Sequence, residues 1–256
     1  MLFTRSFSFG RKWTEITQFT GDSFFQSMMG HGLKANSQSE LLEKLAVRGF
    51  LVLPNADMLN KLKSIDRAKF QTSPTNQPYD NVPHKQISMT SNLSAPSHAI
   101  STPQLHAQII SLLADQLGPG KIACEIGAGT GFLPACMHAL GCAKVFAVES
   151  DLGLVQVARD LLKDSVQLCT PETPITDSID AMYISVYFSG PPTMHEFLSK
   201  FTWSRNALVV AAYEDGLGPD QQLVLLEKLP EGWSEMKLFR VMCEPMLYLQ
   251  IKRLVQ

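Results

Sequence analysis

No run of ten apolar residues occurs in these 256 residues, so the sequence offers no segment of bilayer-spanning length. Basic charge is not in excess either: 22 Lys and Arg stand against 24 Asp and Glu, for a net charge of −2. That balance argues against a dedicated binder of nucleic acid. Cysteine is sparse, and the five present (Cys124, Cys136, Cys142, Cys169 and Cys243) form no C-x-x-C pair. An odd count without that spacing points to free thiols in a reducing compartment and to no metal site. Internal repeats and low-complexity tracts are missing as well. What is there is 45% hydrophobic and 18% charged, which predicts a packed core in one domain, with or without an appendage.

The first fourteen residues, MLFTRSFSFGRKWT, carry Arg5, Arg11 and Lys12, and the first acid is Glu15. Basic, hydroxyl-rich and acid-free is the composition of a mitochondrial presequence. It equally suits an exposed basic arm on a cytoplasmic protein. Residues 1–36 are set apart as an N-terminal extension and 37–256 as the domain, whose subregion 37–104 precedes the regular part. Ser37 and Glu40 have capping-box spacing ahead of Leu41, Leu42, Leu45 and Ala46, which predicts a short helix stopped near Gly49. A second helix is expected after Asn55, with Met58, Leu59, Leu62 and Ile65 along one face. Residues 71–104 are rich in Pro, Ser, Thr and Asn, and an irregular stretch of that length in a compact domain tends to be functional.

Beyond it the pattern becomes regular. Leu105, Ile109, Leu112 and Leu113 predict a helix ended by Gly118-Pro119-Gly120, followed by a strand at Ile122–Ile126 and a helix at Leu133–Leu140. Strands are expected at 145–148, 181–186 and 208–212, and helices at 152–162 and 223–229. A terminal strand pair is expected at 236–243 and 246–251. Buried strands alternating with helices give an α/β fold with a doubly wound, mostly parallel sheet and an antiparallel C-terminal pair.

The strongest chemical signal is Glu125-Ile126-Gly127-Ala128-Gly129-Thr130-Gly131, between a strand and a helix. Glycines there let the chain bend tightly and let a ligand lie against the main chain. Glu149, at the end of the next strand, suits a bidentate hydrogen bond to ribose hydroxyls. A nicotinamide dinucleotide would want G-x-G-x-x-G; here the third glycine comes one residue early, and Glu125 would repel a pyrophosphate. S-adenosylmethionine has no phosphate and carries an ammonium and a sulfonium, so the charge sign favours a methyl donor.

Residues about 37–247 resemble the protein-L-isoaspartate O-methyltransferases, which methylate isoaspartyl residues in damaged proteins. The resemblance is carried by Pro78-Tyr79-Asp80, Pro83 and Ile87, and by Ile100-Ser101-Thr102-Pro103-Gln104-Leu105-His106-Ala107, similar to the family's Ile-Ser-Ala-Pro-His-Met-His-Ala. The interval from that serine to the motif acid (125 − 101 = 24) fits without a gap. Asp115-Gln116-Leu117, Gly141-Cys142, Lys228-Leu229 and Glu244-Pro245-Met246-Leu247 also fall in step.

The resemblance implies a Rossmann-like methyltransferase fold, S-adenosyl-L-methionine as cofactor, isoaspartyl proteins or peptides as partners and no membrane. By position it places Ser101 at the transfer site, with Thr102 and Pro103 in the substrate loop. Glu125, Gly127, Gly129, Gly131, Glu149, Glu172, His106 and Gln221 fall among the donor contacts. Glu172 matches an acid near the adenine amine, and Gln221 a polar contact near the donor's amino-acid end.

Three departures stand out. The family's Asp-Ala-Ile-x-Val-Gly-Ala-Ala is here Asp180-Ala181-Met182-Tyr183-Ile184-Ser185-Val186-Tyr187, followed by Phe188, which puts aromatics where small residues would line the peptide cleft. The usual Pro-Gly-Gly turn is replaced by Thr202-Trp203-Ser204-Arg205-Asn206. About seven extra residues precede Ile100 and hold a second serine, Ser94, that competes with Ser101. These changes keep a second reading open: a methyltransferase-like subunit acting as a binding or assembly factor in a complex, mitochondrial or cytoplasmic.

Overall fold

The computed structural model describes residues 33–73, 77–85, 99–218 and 220–241, all within one compact unit that begins at Leu33. The basic N-terminus, Ile87, Ser94 and residues 242–256 (Cys243, Glu244–Leu247 and the strand expected at 246–251) lie outside the described residues.

Helix α1 (Gln38–Val47) starts on the predicted cap, with the Glu40 N–H donating to Ser37 Oγ at 3.2 Å. The capping box is only half made. Glu40 turns its carboxylate instead to the Asn36 N–H at 2.7 Å and to Lys44 at 2.6 Å. Gly49, at φ 77°, takes the left-handed position that ends the helix. Asn55 caps α2 (Ala56–Lys63) through Oδ1, and the faces carrying Leu41, Leu45, Met58 and Leu62 are buried. A 3₁₀ turn, Arg67–Phe70, follows.

Among the described residues of the Pro-rich stretch, regular pairing is confined to β1 (His84–Lys85) against β2 (Ala99–Ile100). Helix α3 (Pro103–Leu113) then starts on Thr102, whose Oγ1 accepts from the Leu105 N–H at 3.2 Å, with Pro103 in the first helical position, where its missing N–H costs nothing. Asn81 Oδ1 takes the Gln104 N–H at 2.9 Å, fixing the start of α3 to the preceding loop.

The sheet of the described residues has seven strands: β3 (Ile122–Ile126), β4 (Lys144–Val148), β5 (Gln167–Cys169), β6 (Ser178–Phe188), β7 (Thr202–Tyr213), β8 (Gln221–Leu229) and β9 (Gly232–Val241), in the order β5-β4-β3-β6-β7-β8-β9. The first five run parallel, β8 and β9 antiparallel. Crossover helices α4 (Phe132–Ala139), α5 (Leu152–Leu162) and α6 (Pro191–Leu198) join parallel neighbours. The α/β class and an antiparallel C-terminal pair are as expected; β9 takes in the strand expected from 236, and β8 is the partner seen among the described residues. Residues 223–229 are strand, not helix. Leu223–Leu226 are buried throughout, and a strand covered on both faces shows an unbroken apolar run that a helix segment shows too. The two-residue connection Pro230-Glu231 folds β9 straight back onto β8, with Leu229 opposite Gly232.

Strand alternation sorts the side chains of β3. Cys124 and Ile126 join the core cluster with Met182, Ile184, Val209 and Phe197. Ala123 and Glu125 therefore face the other side, where the charge of Glu125 is felt by Cys136 on α4. At β3 the strand order changes direction, with β4 on one side and β6 on the other. In such sheets the crevice beyond the carboxyl ends of these strands is where ligands bind.

Candidate functional site

The loop after β3 folds over the end of β4. The N–H groups of Gly127 and Ala128 both donate to Val148 O, at 2.9 and 3.0 Å, and the Gly131 N–H closes a turn onto Ala128 O at 2.9 Å. All three glycines have positive φ: 80° at Gly127, 55° at Gly129 and 88° at Gly131. Their surroundings separate their roles. A Cβ on Gly127 would lie 2.3 Å from Ser185 Oγ, and one on Gly131 would lie 2.5 Å from Leu162 Cδ1, so these two serve the protein's own packing. A Cβ on Gly129 would meet nothing within 4 Å. Gly129 is the point where the main chain is bare toward open space.

Glu149 sits where the sequence places it, one residue past β4, and is buried. Its Oε2 accepts from the Gly129 N–H at 2.8 Å, and its Oε1 from the Ser150 and Asp151 N–H groups at 2.7 and 2.9 Å. The carboxylate is thus held by three backbone donors and tied to the glycine loop. Oε2, with one protein donor, keeps a lone pair for a ligand hydroxyl.

Glu125 is buried at 4% exposure, and its Oε2 has no hydrogen-bond partner. Burial, and then the nearby charge of Glu149, hold its carboxyl well above the usual carboxylate range. A buried carboxyl with an orphan oxygen, beside a second acid, is a site prepared for a cation. This arrangement fits S-adenosylmethionine, whose cationic end favours the charged form of the carboxyl.

Ser101 is half-buried, between β2 and the cap residue Thr102, and Pro103 opens α3. Its carbonyl accepts from Arg67 Nη2. His106 is buried, with Nδ1 3.0 Å from Arg67 Nη1 and its ring 5.2 Å from that of Phe132. Burial and then the charge of Arg67 hold its imidazole well below the usual range, so it is neutral. Phe132 opens α4 directly after Gly131, and Thr130 Oγ1 donates to Phe70 O at 2.6 Å. The serine loop, His106 and the glycine loop therefore meet around the Arg67–Phe70 turn.

Glu172 is exposed, in the Thr170–Thr173 turn after β5, while Gln221 is buried at the start of β8. Both lie at the same end of the sheet, but on opposite flanks of β3, two and three strands away, or roughly 10 and 14 Å at ordinary strand spacing.

Of the two aromatics expected to narrow the cleft, Phe188 belongs to the core instead: it is 1% exposed and stacks on Phe197 at 5.4 Å. Tyr187 is half-buried near the strand end, opposite Ala212. Ser185 is the closer presence. The β6–β7 register slips between Tyr183 and Tyr187, and the slipped segment lays Ser185 Oγ against Ile126 O (2.9 Å) and Gly127 O (2.7 Å). Sequence reasoning missed Arg67 and Asn81, because a charged or amide side chain beside a helix gives no sign that it will be buried.

Comparison with known proteins bears on lineage and fold. The sequence model of the family Protein-L-isoaspartate(D-aspartate) O-methyltransferase (PCMT) matches residues 36–170, just over half of the chain. A Dictyostelium discoideum protein of that description is 33% identical over 131 residues, covering 50% of this chain and 39% of its own length. The Arabidopsis thaliana protein-L-isoaspartate O-methyltransferase 1 is 28% identical over 198 residues, 77% of this chain and 75% of its own. Among solved structures, a Plasmodium falciparum protein of the same description, crystallised with S-adenosyl-L-homocysteine, superposes with a TM-score of 0.64 at 22% identity, covering 83% of this chain and 99% of that one. A second protein-L-isoaspartate O-methyltransferase gives 0.67 at 17% identity, over 81% of this chain and 65% of that one. At those identities the structural likeness speaks for the fold, and the matched sequence for the lineage. The chain belongs to the protein-L-isoaspartate(D-aspartate) O-methyltransferase family.

Proposed function

We propose that this chain transfers a methyl group from S-adenosylmethionine to the free carboxylate of isoaspartyl residues in proteins. The observation that carries the proposal is the buried Glu125 Oε2 with no partner, set beside a glycine loop that is open at Gly129. Family membership, and the S-adenosylhomocysteine in the Plasmodium falciparum relative, support the same reading. When bound, S-adenosylmethionine supplies an sp³ methyl on a sulfonium, which a carboxylate accepts without a base. Free carboxyls have a pKa of about 4, so the acceptor is already ionised at neutral pH. The protein's work is then to bind, orient and exclude water.

Each part of the site has a share in that work. Glu125 supplies the negative potential for the donor's cationic end. Gly129 lets the nucleoside lie on the main chain, and Oε2 of Glu149 is placed for a ribose hydroxyl. Ser101 aims the acceptor carboxylate with its hydroxyl and does not itself become modified. Glu172, His106 and Gln221 belong to this proposal as outer donor contacts. His106 acts indirectly, since its Nδ1 is engaged by Arg67. The N-terminal composition supports a mitochondrial address, which N-terminal sequencing of the protein from its native cells would test.

The test is tritiated-methyl transfer to an isoaspartyl peptide and to its aspartyl twin. Selective, base-labile labelling that Ser101→Ala lowers about tenfold or more is the expected result. Equal labelling of the two peptides contradicts the isoaspartyl assignment. Donor binding with no transfer to either peptide would leave the chain as a binding subunit.

A further inference from the structure

Arg67 is wholly buried, at 0% exposure, and among the described residues no carboxylate pairs with it. The adjacent Asp66 is occupied elsewhere, its Oδ1 taking the Ala68 N–H at 3.0 Å and the Tyr79 hydroxyl at 2.9 Å. Burial pushes the guanidinium down to about 9, still above neutral, so the group is charged at pH 7. A buried cation without a counter-ion is costly, and an apolar side chain of the same size would fill the space at less cost. Space-filling is also poorly served here. A cavity of about 20 Å³ adjoins Arg67, lined by Leu41, Leu62, Ile110, Phe132 and Cys136 among others.

What the guanidinium does supply is a rigid fork of donors. Nη1 donates to His106 Nδ1 at 3.0 Å and Nη2 donates to Ser101 O, so one group pins both the serine loop and the first turns of α3. Because arginine only donates, the His106 proton sits on Nε2. The Arg67 Cζ lies 5.4 Å from the centre of the Phe132 ring, at the end of the glycine loop. The same turn is tied to that loop a second time, through Thr130 Oγ1 and Phe70 O. Fixing the Ser101 carbonyl fixes the 101–102 peptide plane, and with it the direction from which the Ser101 hydroxyl reaches the acceptor.

We propose that Arg67 is a positioning residue, a fork that sets the serine loop against the glycine loop so that acceptor and donor meet in line. The inference rests on the methyltransferase reading for its consequence and on the hydrogen bonds alone for its geometry. An in-line transfer is sensitive to displacements of an ångström or less, so loosening the fork reduces turnover more than it reduces donor binding.

The test compares wild type with Arg67→Lys and Arg67→Met by hydrogen exchange, by calorimetry with S-adenosylhomocysteine and by methylation of an isoaspartyl peptide. A lysine keeps the charge but cannot span both acceptors. The expected result for Arg67→Lys is exchange of the 101–106 amides faster by about tenfold or more, with β3 and β4 unchanged, and kcat down about tenfold. Peptide KM and S-adenosylhomocysteine affinity should stay within about threefold. Arg67→Met should show the same pattern; should it fail to fold, Arg67→Lys decides. Unaltered exchange at 101–106 in Arg67→Lys overturns the proposal, and so does a donor affinity that falls in step with kcat. A wild type that methylates no peptide overturns the methyltransferase reading instead, and the exchange comparison still judges the fork.

Discussion

At the scale of the residue, Glu125 makes the sharpest physical commitment. Its carboxyl is raised well above the usual range, by burial and then by Glu149. The folded protein therefore holds a proton that the unfolded chain releases near the ordinary carboxyl value of 4.5. By linkage, its contribution to stability is fullest below that value and declines as pH rises through the raised one. Glutamine does not titrate. Urea unfolding should show Glu125→Gln gaining stability over wild type as pH goes from 5 to 8. A constant difference would mean that Glu125 is not the buried acid described here. The donor's cation should reverse the preference of Glu125 in wild type, so donor binding should release protons. Calorimetry in buffers of different ionisation enthalpy would detect that release, and Glu125→Gln should abolish it. The identity of Glu125 and its place in the motif were readable from the sequence. Its orphan oxygen was not, because burial of one side chain is set by elements distant along the chain.

At the scale of the element, the glycine loop and the irregular end of β6 form one unit. Ser185 donates to the carbonyls of Ile126 and Gly127, and its hydroxyl stands 2.3 Å from where a Cβ on Gly127 would be. Gly127→Ala should therefore cost roughly 2–4 kcal/mol, from overpacking and the positive φ together. Ser185→Ala removes the clashing oxygen and should recover part of that cost. A thermal or urea double-mutant cycle should show coupling of about 1 kcal/mol or more; additive effects would contradict the contact. Gly129→Ala meets open space, so it should cost only about 1 kcal/mol in backbone strain while weakening donor binding.

The loop was legible as glycines between a strand and a helix, and so was the Ser37 cap of α1. Four element-level features were not. Residues 223–229 carry helix-favouring Leu, Glu and Lys, yet form β8, because tertiary pairing outweighs local propensity. The short β5 and the helix α6, opened by Pro191-Pro192, gave too little periodicity to register. The slip that delivers Ser185 is a relation between two strands, which no single segment encodes.

At the scale of the whole molecule, the sheet order puts the glycine loop at the switch between β4 and β6, with the helical N-terminal part bringing Ser101 to the same place through Arg67. Alternating buried strands and helices were enough to read the α/β class and the mostly parallel sheet, since both follow from pattern. Which end of the sheet Gln221 and Glu172 would share, and on which flanks, depended on strand order and could not be read from spacing. The resulting site holds two acids and is partly bare, which suits a cationic nucleoside. No helix among the described residues is long and apolar enough to cross a membrane.

Calorimetric titration of wild type and Gly129→Asp with S-adenosylmethionine and, separately, with NAD puts that claim to the most direct measurement. The account predicts saturable one-to-one binding of S-adenosylmethionine by wild type, a loss of about tenfold or more in Gly129→Asp, and no binding of NAD. A wild type that binds NAD, or that gives no heat with S-adenosylmethionine while folded, would contradict it.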